Sequence, residues 1–198
     1  MMPLLKNTNN HHYYTYKDYL DFPKDGFPKV GVHYEIIHGT PYMMAAPSRR
    51  HQNILGNIFN ELKNFLKGKQ CKTFISPFDV RLPIFNEEDD DISSVVQPDI
   101  VVYCDPDKHD EKGGKGAPDI AVEVLSPSSI NMDRVRKLKL YELVGVKEYW
   151  IVDGEEHVIE VYKHNGKQFY DCLYFGEART LTTSILEGFE LKVSEIFV

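Results

Sequence analysis

A single carboxylate, Glu123, interrupts an otherwise apolar stretch and is the strongest chemical signal in the chain. It lies within Ile120–Leu125 (IAVEVL), whose composition predicts a buried strand. An ionised carboxylate left unpaired in such a strand would cost several kcal/mol, so a cation should lie beside it. A metal ion and a lysine ammonium are the two usual partners.

A second carboxylate, Asp99, stands directly before the apolar run Ile100–Tyr103, which is another predicted strand. If the two strands pair, Asp99 and Glu123 can approach the same divalent cation. A structural salt bridge is the alternative, but two acidic groups on neighbouring strands favour a metal site. Hard carboxylate oxygens suit Mg²⁺ or Mn²⁺ better than zinc.

A predicted helix over residues 131–144, which Gly145 ends, carries the candidate ammonium. At about 100° per residue, its apolar positions form one arc, and Lys137 falls inside that arc. We therefore expect Lys137 to point toward the strand that carries Glu123. The alternative is a helix pair between Lys137 and Asp133, with the lysine extending to water.

The net charge of −7 argues against indiscriminate binding to a polyanion, but the charge is unevenly distributed. The acidic run at residues 87–91 (EEDDD) is predicted to be a solvated loop. On the helix, Arg134, Arg136 and Lys139 surround Lys137. We predict that these three residues contact the substrate.

Length and composition predict one domain over residues 15–198, with residues 1–14 as a flexible tail. A hydrophobic content of 42% and a charged content of 27% are typical of soluble globular proteins. No apolar run reaches the roughly 20 residues of a membrane span, and the N-terminus does not resemble a signal peptide. We expect no membrane association.

The three cysteines, Cys71, Cys104 and Cys172, are widely spaced and form no C-x-x-C pair. This pattern predicts neither a zinc site nor a disulfide framework. A reducing, cytoplasmic location is the simplest inference.

Along the chain, strand and helix signals are mixed in order, which predicts an α/β or α+β fold. A hairpin is predicted around Gly39, and a long helix is predicted to start after Ser48, which can cap it. The further predicted strands lie near residues 71–75, 78–82, 95–104, 119–125, 148–152, 158–162 and 169–174.

Together these residues resemble the PD-(D/E)-x-K nuclease motif and, more closely, the Uma2 family of restriction-endonuclease type. The resemblance extends from about residue 15 to the C-terminus and is densest from Val122 onward. The matching stretches are Tyr34–Ile37 with Gly39, Met43–Met44, Pro47–Ser48 with His51, Phe78–Leu82, Gln97–Asp99, Gly116–Asp119, Val122–Ser128, Asp133, Lys137, Tyr141, Gly145–Val146 and Glu148–Trp150.

The resemblance implies a restriction-endonuclease-like fold, in which helices flank a mixed central β-sheet. It implies that Asp99 and Glu123 bind the metal, with the Val124 backbone carbonyl as a third ligand. Glu35 corresponds to the acidic residue that helps to hold metal or water, and Lys137 takes the part of the motif lysine. It further implies a DNA substrate and, by analogy, a homodimer.

The sequence departs from the family pattern at two positions. The usual motif would place its lysine at Leu125, so that role must come from the following helix. At His38, the family pattern commonly has an acidic residue.

Three functions follow as alternatives. The first is a Mg²⁺-dependent endonuclease that hydrolyses DNA phosphodiester bonds. The second is a nuclease-fold binding or regulatory protein without catalysis, which the leucine at position 125 and the acidic surface motivate. The third is a metal-dependent hydrolase of small phosphate substrates.

Overall fold

The computed structural model describes residues 12–22 and 33–198, and these form a mixed α+β fold. A six-stranded sheet carries the site, and helices cover both of its faces. Most of the predicted tail, residues 1–11, lies outside the described residues. Within residues 12–22 and 33–198, no helix is both long and apolar enough to cross a bilayer.

The central sheet has the strand order β12-β11-β10-β9-β6-β3. Only β9 and β10 are parallel, and the helical segment between them makes the crossover that a parallel pair requires. All other neighbours in this sheet are antiparallel. The strands are β3 (Lys72–Ile75), β6 (Ile100–Tyr103), β9 (Ile120–Val124), β10 (Glu148–Asp153), β11 (Val158–His164) and β12 (Phe169–Gly176).

Alternation along β9 divides its side chains between two cores. Val122 and Val124 pack on the face that α2 (Arg49–Phe65) covers, with the apolar positions of that helix. Ala121 belongs to the core on the opposite face. Because side chains two positions apart share a face, Glu123 points to the same side as Ala121.

The predicted helix over residues 131–144 forms, but its first part is not a regular α-helix. Met132–Lys137 is a π-helical segment, and α3 (Leu138–Val144) continues from it. Gly145 ends the helix in the left-handed conformation, with φ of 81°. π-Helical turns are wider than α-helical ones and often occur at functional sites.

A second six-stranded sheet has the order β2-β1-β5-β4-β8-β7 and was not anticipated from the sequence as a separate sheet. Most of its strands are only two or three residues long, which is too short for a periodicity to show. They are β1 (His33–Ile37), β2 (Thr40–Met44), β4 (Val80–Arg81), β5 (Val95–Val96), β7 (His109–Asp110) and β8 (Gly113–Lys115).

The predicted hairpin is the β1–β2 pair. Its turn contacts Tyr13 and Tyr14, near the start of the described chain. His38 and Gly39 both have positive φ, at 49° and 72°. The Gly39 carbonyl accepts a hydrogen bond from the Tyr14 N–H at 3.0 Å. A Cβ at Gly39 would lie 2.4 Å from the Tyr13 ring, so the close approach requires glycine.

The remaining elements are α1 (Tyr16–Leu20) and the short hairpin of β13 (Thr180–Thr182) and β14 (Glu190–Lys192). Asp18 Oδ2 holds the start of α1 by accepting hydrogen bonds from the Thr15 N–H at 2.9 Å and from the Thr15 hydroxyl at 3.3 Å. Ser48 caps α2 by accepting a hydrogen bond from the His51 N–H at 3.2 Å, as predicted.

The cysteine spacing predicted no disulfide framework, and this prediction is wrong. Cys71 and Cys104 are joined by a disulfide across 33 sequence positions, and Cys172 is a free thiol. The pairing of Lys72 with Tyr103 in β3 and β6 places the two cysteines opposite each other. Spacing along the chain could not show this, because the strand register decides it.

Candidate active site and metal centre

The predicted carboxylates meet at a crevice of about 200 Å³ at the C-terminal end of β9. The crevice is open on one side and bounded by the hairpin, the start of α2 and the start of the π-helical segment. Its titratable lining residues are His33, His51, Asp99, Glu123 and Asp133.

Asp99 lies opposite Glu123, as the sequence predicted for paired strands. Ile100 pairs with Val122 in antiparallel register, and one step outward places Asp99 across from Glu123. Oδ2 of Asp99 accepts a hydrogen bond from the Val124 N–H at 2.7 Å. The backbone of β9 therefore fixes the Asp99 carboxylate at the edge of the crevice.

Lys137 points inward and is completely buried among three carboxylates. Its Nζ lies 2.8 Å from Oε1 of Glu123, 2.9 Å from Oε1 of Glu35 and 3.8 Å from Oδ1 of Asp133. The pairing with Asp133 exists, but the ammonium does not reach water. The alternative of a lysine extended to solvent is therefore wrong, because its charge has strong partners inside.

Burial, together with the charges of neighbouring groups, shifts the pKa values in this cluster. Burial alone would lower the pKa of Lys137, but the charges of Glu123, Glu35 and Asp133 raise it well above its usual value. Burial raises the pKa of Glu123, with Lys137 opposing and the neighbouring carboxylates adding. Burial likewise raises the pKa of Asp133 to about 6, against the charge of Lys137.

Glu35 and Tyr141 complete the shell around the ammonium. Oε1 of Glu35 also accepts a hydrogen bond from the Gln97 N–H at 2.8 Å, and its buried Oε2 has no partner among the described residues. The Tyr141 hydroxyl donates to Oε1 of Glu123 at 2.9 Å. Both bonds to Glu123 end on Oε1, which leaves Oε2 available to a cation.

His51 is a further residue of the crevice, one for which the sequence predicted no catalytic or metal-binding role. Its Nε2 lies 3.1 Å from Oδ2 of Asp99, and its buried Nδ1 has no hydrogen-bond partner within the described part of the chain. Burial lowers the pKa of His51, but the hydrogen bond and charge of Asp99 outweigh burial and raise it. The sequence signal that could have identified His51 was its place in the first turn of the helix that Ser48 caps.

The donor set suits a hard cation with open coordination positions. In residues 12–22 and 33–198, no three His, Cys, Asp or Glu side chains converge as a closed metal cage. Asp99, Glu123 and the Val124 carbonyl offer oxygen ligands at one crevice. Mg²⁺ commonly binds through one or two carboxylates together with water and substrate phosphate, so these residues fit Mg²⁺ or Mn²⁺.

The two departures from the motif lie at different places. Leu125 packs partly buried in the core beneath α3, so an apolar residue there is structural. His38 occupies the hairpin turn, where its N–H donates to the Ser94 Oγ at 3.0 Å. Lys137, on the helix that follows, is the lysine that contacts Glu123, at 2.8 Å from its Oε1.

The predicted basic cluster separates into two kinds of residue. Arg134 forms ion pairs with Glu160 at 2.7 Å and Asp153 at 3.4 Å, so its charge is already engaged. Arg136 is exposed and lies over the Tyr42 ring at 5.0 Å. Lys139 is also exposed.

Comparisons with known proteins agree with this architecture. A family model described as "Uma2: Putative restriction endonuclease" matches residues 16–194. An uncharacterized protein of Synechocystis sp., slr1290, is 29% identical over 133 residues, which are 67% of this chain and 66% of the relative, just under two thirds of its length.

A solved structure has the same fold. The crystal structure of a "putative nuclease belonging to DUF820" from Anabaena variabilis superposes with a TM-score of 0.72 at 18% identity. The superposition covers 93% of this chain and 97% of that one. The predicted fold class is therefore confirmed.

Proposed function

This chain belongs to the Uma2 family, and on that basis we propose that it is a metal-dependent nuclease that hydrolyses phosphodiester bonds in DNA. The observation that carries the proposal is the buried contact of Lys137 with Glu123 and Glu35, next to Asp99. Two carboxylates, Asp99 and Glu123, line the crevice, and a buried lysine lies directly behind Glu123; these are the groups that this hydrolysis needs.

Asp99, Glu123 and the Val124 carbonyl would hold Mg²⁺ or Mn²⁺. When bound, the cation would lower the pKa of a coordinated water and polarise the phosphoryl oxygen. The protein fixes the ligands beforehand, because Asp99 is held by the Val124 N–H and His51.

Lys137 supplies fixed positive charge at the same place. The buried ammonium adds positive charge behind Glu123, which offsets negative charge that develops on the phosphate, and it keeps Oε1 of Glu123 occupied, which leaves Oε2 for the cation. Glu35 and Tyr141 hold this pair in one geometry, since each contacts either the ammonium or the carboxylate within 2.9 Å. Such preorganisation means that little rearrangement is needed during the reaction.

A cleavage assay with matched variants tests the proposal. We expect plasmid and single-stranded DNA to be cut by the wild type with Mg²⁺ or Mn²⁺, and Asp99→Asn and Glu123→Gln to be inactive. Asp119→Asn is the control, because Pro118-Asp119 repeats the Pro98-Asp99 dipeptide but contacts Lys147 and the Cys104 N–H instead. Equal cleavage by all four proteins, or by none with either metal, would contradict the proposal.

A nuclease-fold binding protein without catalysis is the second candidate. The complete burial of Lys137 favours it, since the ammonium does not line the crevice and already neutralises part of the charge that a metal would neutralise. Calorimetric titration with Mn²⁺ separates the two functions. Carboxylate-dependent binding supports the nuclease, and its absence supports the binding protein.

Small phosphate esters are the third substrate class to be tested. A crevice of about 200 Å³ could accommodate a phosphate monoester. Hydrolysis of nucleotides without hydrolysis of polymers would replace DNA by this class as the substrate.

A further inference from the structure

A second and larger cavity, of about 680 Å³, adjoins the crevice. Two groups of aromatic rings line it, and none of these rings belongs to the metal centre. The first group consists of Tyr19, Phe22 and Tyr34, and the second consists of Phe74, Phe78 and His109. Cavities of this volume are typical of small-molecule sites.

The rings in each group pack on one another but not across the cavity. Phe22 makes edge contacts with Tyr19 at 5.9 Å and with Tyr34 at 5.4 Å. Phe74 stacks on Phe78 at 4.4 Å and meets His109 at 5.1 Å. In the part of the chain that the structure describes, no ring contact joins the two groups. The cavity of about 680 Å³ that both groups line has room for a further planar ring.

Asp79 provides a polar group at the wall of this space. Its Oδ1 accepts hydrogen bonds from the Tyr19 hydroxyl and from the Gln97 side-chain amide, both at 2.7 Å. Because both bonds end on Oδ1, Oδ2 retains its capacity to accept. A base with an exocyclic amino group, as in adenine, cytosine or guanine, offers a donor at its outer edge, whereas the one ring N–H of thymine lies between two carbonyl oxygens that the carboxylate repels.

The charge of the lining selects against a phosphate and permits a neutral base. Asp79, Asp110 and Glu111 contribute three carboxylates, of which Asp110 is paired with the Arg81 guanidinium at 2.6 Å, against the single lining ammonium of Lys112. A phosphate entering this cavity would meet predominantly like charge. A nucleobase carries no net charge and offers an aromatic face to the rings.

Gln97 connects the cavity to the metal centre. It lines both spaces, its side chain bonds to Asp79, and its backbone N–H bonds to Glu35. Asp99 follows two residues later, which corresponds to about 7 Å of extended chain. A nucleotide with its phosphate at Asp99 could therefore place its base in the cavity.

We propose that the aromatic cavity binds an unpaired, amino-bearing nucleobase of the strand whose phosphate lies at the metal centre. The proposal rests on the proposed nuclease function and specifies its substrate as single-stranded or locally unpaired DNA. Stacking supplies the affinity, because every base has a face that an aromatic ring can cover. Asp79 supplies the preference among bases.

Binding without divalent cation tests the cavity apart from cleavage. The probes are fluorescent oligodeoxynucleotides of equal length, made of adenine, of thymine, or of abasic sugar-phosphate units, and the readout is anisotropy. For the wild type we expect at least tenfold tighter binding of the adenine strand than of the abasic strand. We also expect tighter binding of adenine than of thymine.

Three variants assign the binding to the cavity. Phe78→Leu should remove most of the difference between the adenine and abasic strands, and Asp79→Asn should remove the preference for adenine over thymine. Tyr170→Ser is the control, since Tyr170 is an exposed aromatic residue on β12 outside this cavity, and it should change neither ratio. Should Phe78→Leu fail to fold, the Asp79→Asn ratio and the wild-type comparison remain decisive.

The two proposals fail in different ways. Equal binding of adenine and abasic strands by the wild type, or ratios unchanged in both cavity variants, would overturn the cavity assignment even if the wild type cuts DNA. If the wild type binds bases as expected but cuts no DNA, the cavity assignment stands and the nuclease proposal falls.

Discussion

The Lys137 ammonium lies 2.8 Å from Oε1 of Glu123, although fourteen positions separate the two residues along the chain. In the motif that the sequence resembles, the lysine would stand two positions after the glutamate on the same strand, where this chain has Leu125. The helix that follows β9 folds back over the sheet and brings a lysine to the glutamate. The carboxylate therefore keeps a cationic partner although its strand has none.

Replacement of Lys137 by methionine should affect stability as well as activity. The change leaves Glu35 and Glu123 buried without their cation, which for buried pairs typically costs about 3–5 kcal/mol of unfolding free energy. Cleavage by the folded fraction should fall about 10²–10³-fold. Urea unfolding and single-turnover cleavage measure the two effects.

Two further variants show how the result for Lys137→Met should be interpreted. Lys139→Met removes an exposed lysine two positions away and should leave stability within about 0.5 kcal/mol. Lys137→Met combined with Glu35→Gln should recover part of the lost stability, because one buried charge is removed. If the Lys137 and Lys139 variants are equally stable, the ammonium is not a buried partner of these carboxylates.

Removal of the His51 imidazole should weaken metal binding without removing a proposed ligand. His51→Ala leaves Asp99 with the Val124 N–H as its remaining anchor, and loss of such a supporting contact typically lowers metal affinity about 10–100-fold. Titration calorimetry with Mn²⁺ measures the change. Asn53→Ala, at an exposed position of α2 outside the crevice, is the control, and equal affinities for both variants would contradict a supporting role.

Arg134 and Arg136 should respond differently to neutralisation. Arg136→Gln removes an exposed charge and should reduce DNA affinity and the dependence of binding on salt. Arg134→Gln breaks the ion pairs with Glu160 and Asp153 and should mainly lower the melting temperature. Binding isotherms at several salt concentrations, with thermal melts of both proteins, separate the two. A larger loss of DNA affinity for Arg134→Gln would reverse the assignment.

Glu148 should make stability depend on pH through its buried carboxyl group. It accepts a hydrogen bond from Trp150 Nε1 at 3.0 Å, and burial raises its pKa above the usual value. The folded state thus favours the protonated form, so this contribution to stability is present below the unfolded pKa of about 4.3 and is lost as pH rises through the folded pKa.

Glu148→Gln removes the cost of the buried charge and keeps the acceptor for Trp150. We expect its melting temperature to exceed that of the wild type at pH 7–8, by about 2–4 °C for each kcal/mol gained, and the difference to shrink toward pH 4. Thermal melts across this range measure it. Glu190→Gln, on an exposed position of β14, should show no such trend; a Glu148→Gln difference that is constant with pH would contradict the assignment.

The disulfide between Cys71 and Cys104 should contribute to stability in the oxidised protein. A loop closed across 33 positions is worth roughly 3–4 kcal/mol in the chain-entropy account. The double variant with Cys71→Ser and Cys104→Ser should have a lower unfolding free energy than the oxidised wild type, whereas Cys172→Ser should not. Thiol titration of the denatured, unreduced wild type should find one free thiol, and three would contradict the pairing.

The sequence by itself determined the features that depend on local pattern. A carboxylate inside an apolar strand required a cation, and the helical arc around Lys137 showed which lysine could provide it. The Ser48 cap, the hairpin turn at Gly39 and the helix end at Gly145 were also predicted, because each depends on a few neighbouring residues.

Only the tertiary structure decided which distant groups meet. His51 reaches Asp99, the two cysteines pair, and Arg134 turns to Glu160 because of strand register and helix placement. The aromatic cavity likewise combines rings from α1, β1, β3 and the turns between strands. Such contacts join residues far apart in the chain, and local propensity carries no information about them. They arise when burial of both faces of the central sheet fixes how its strands and helices lie against one another.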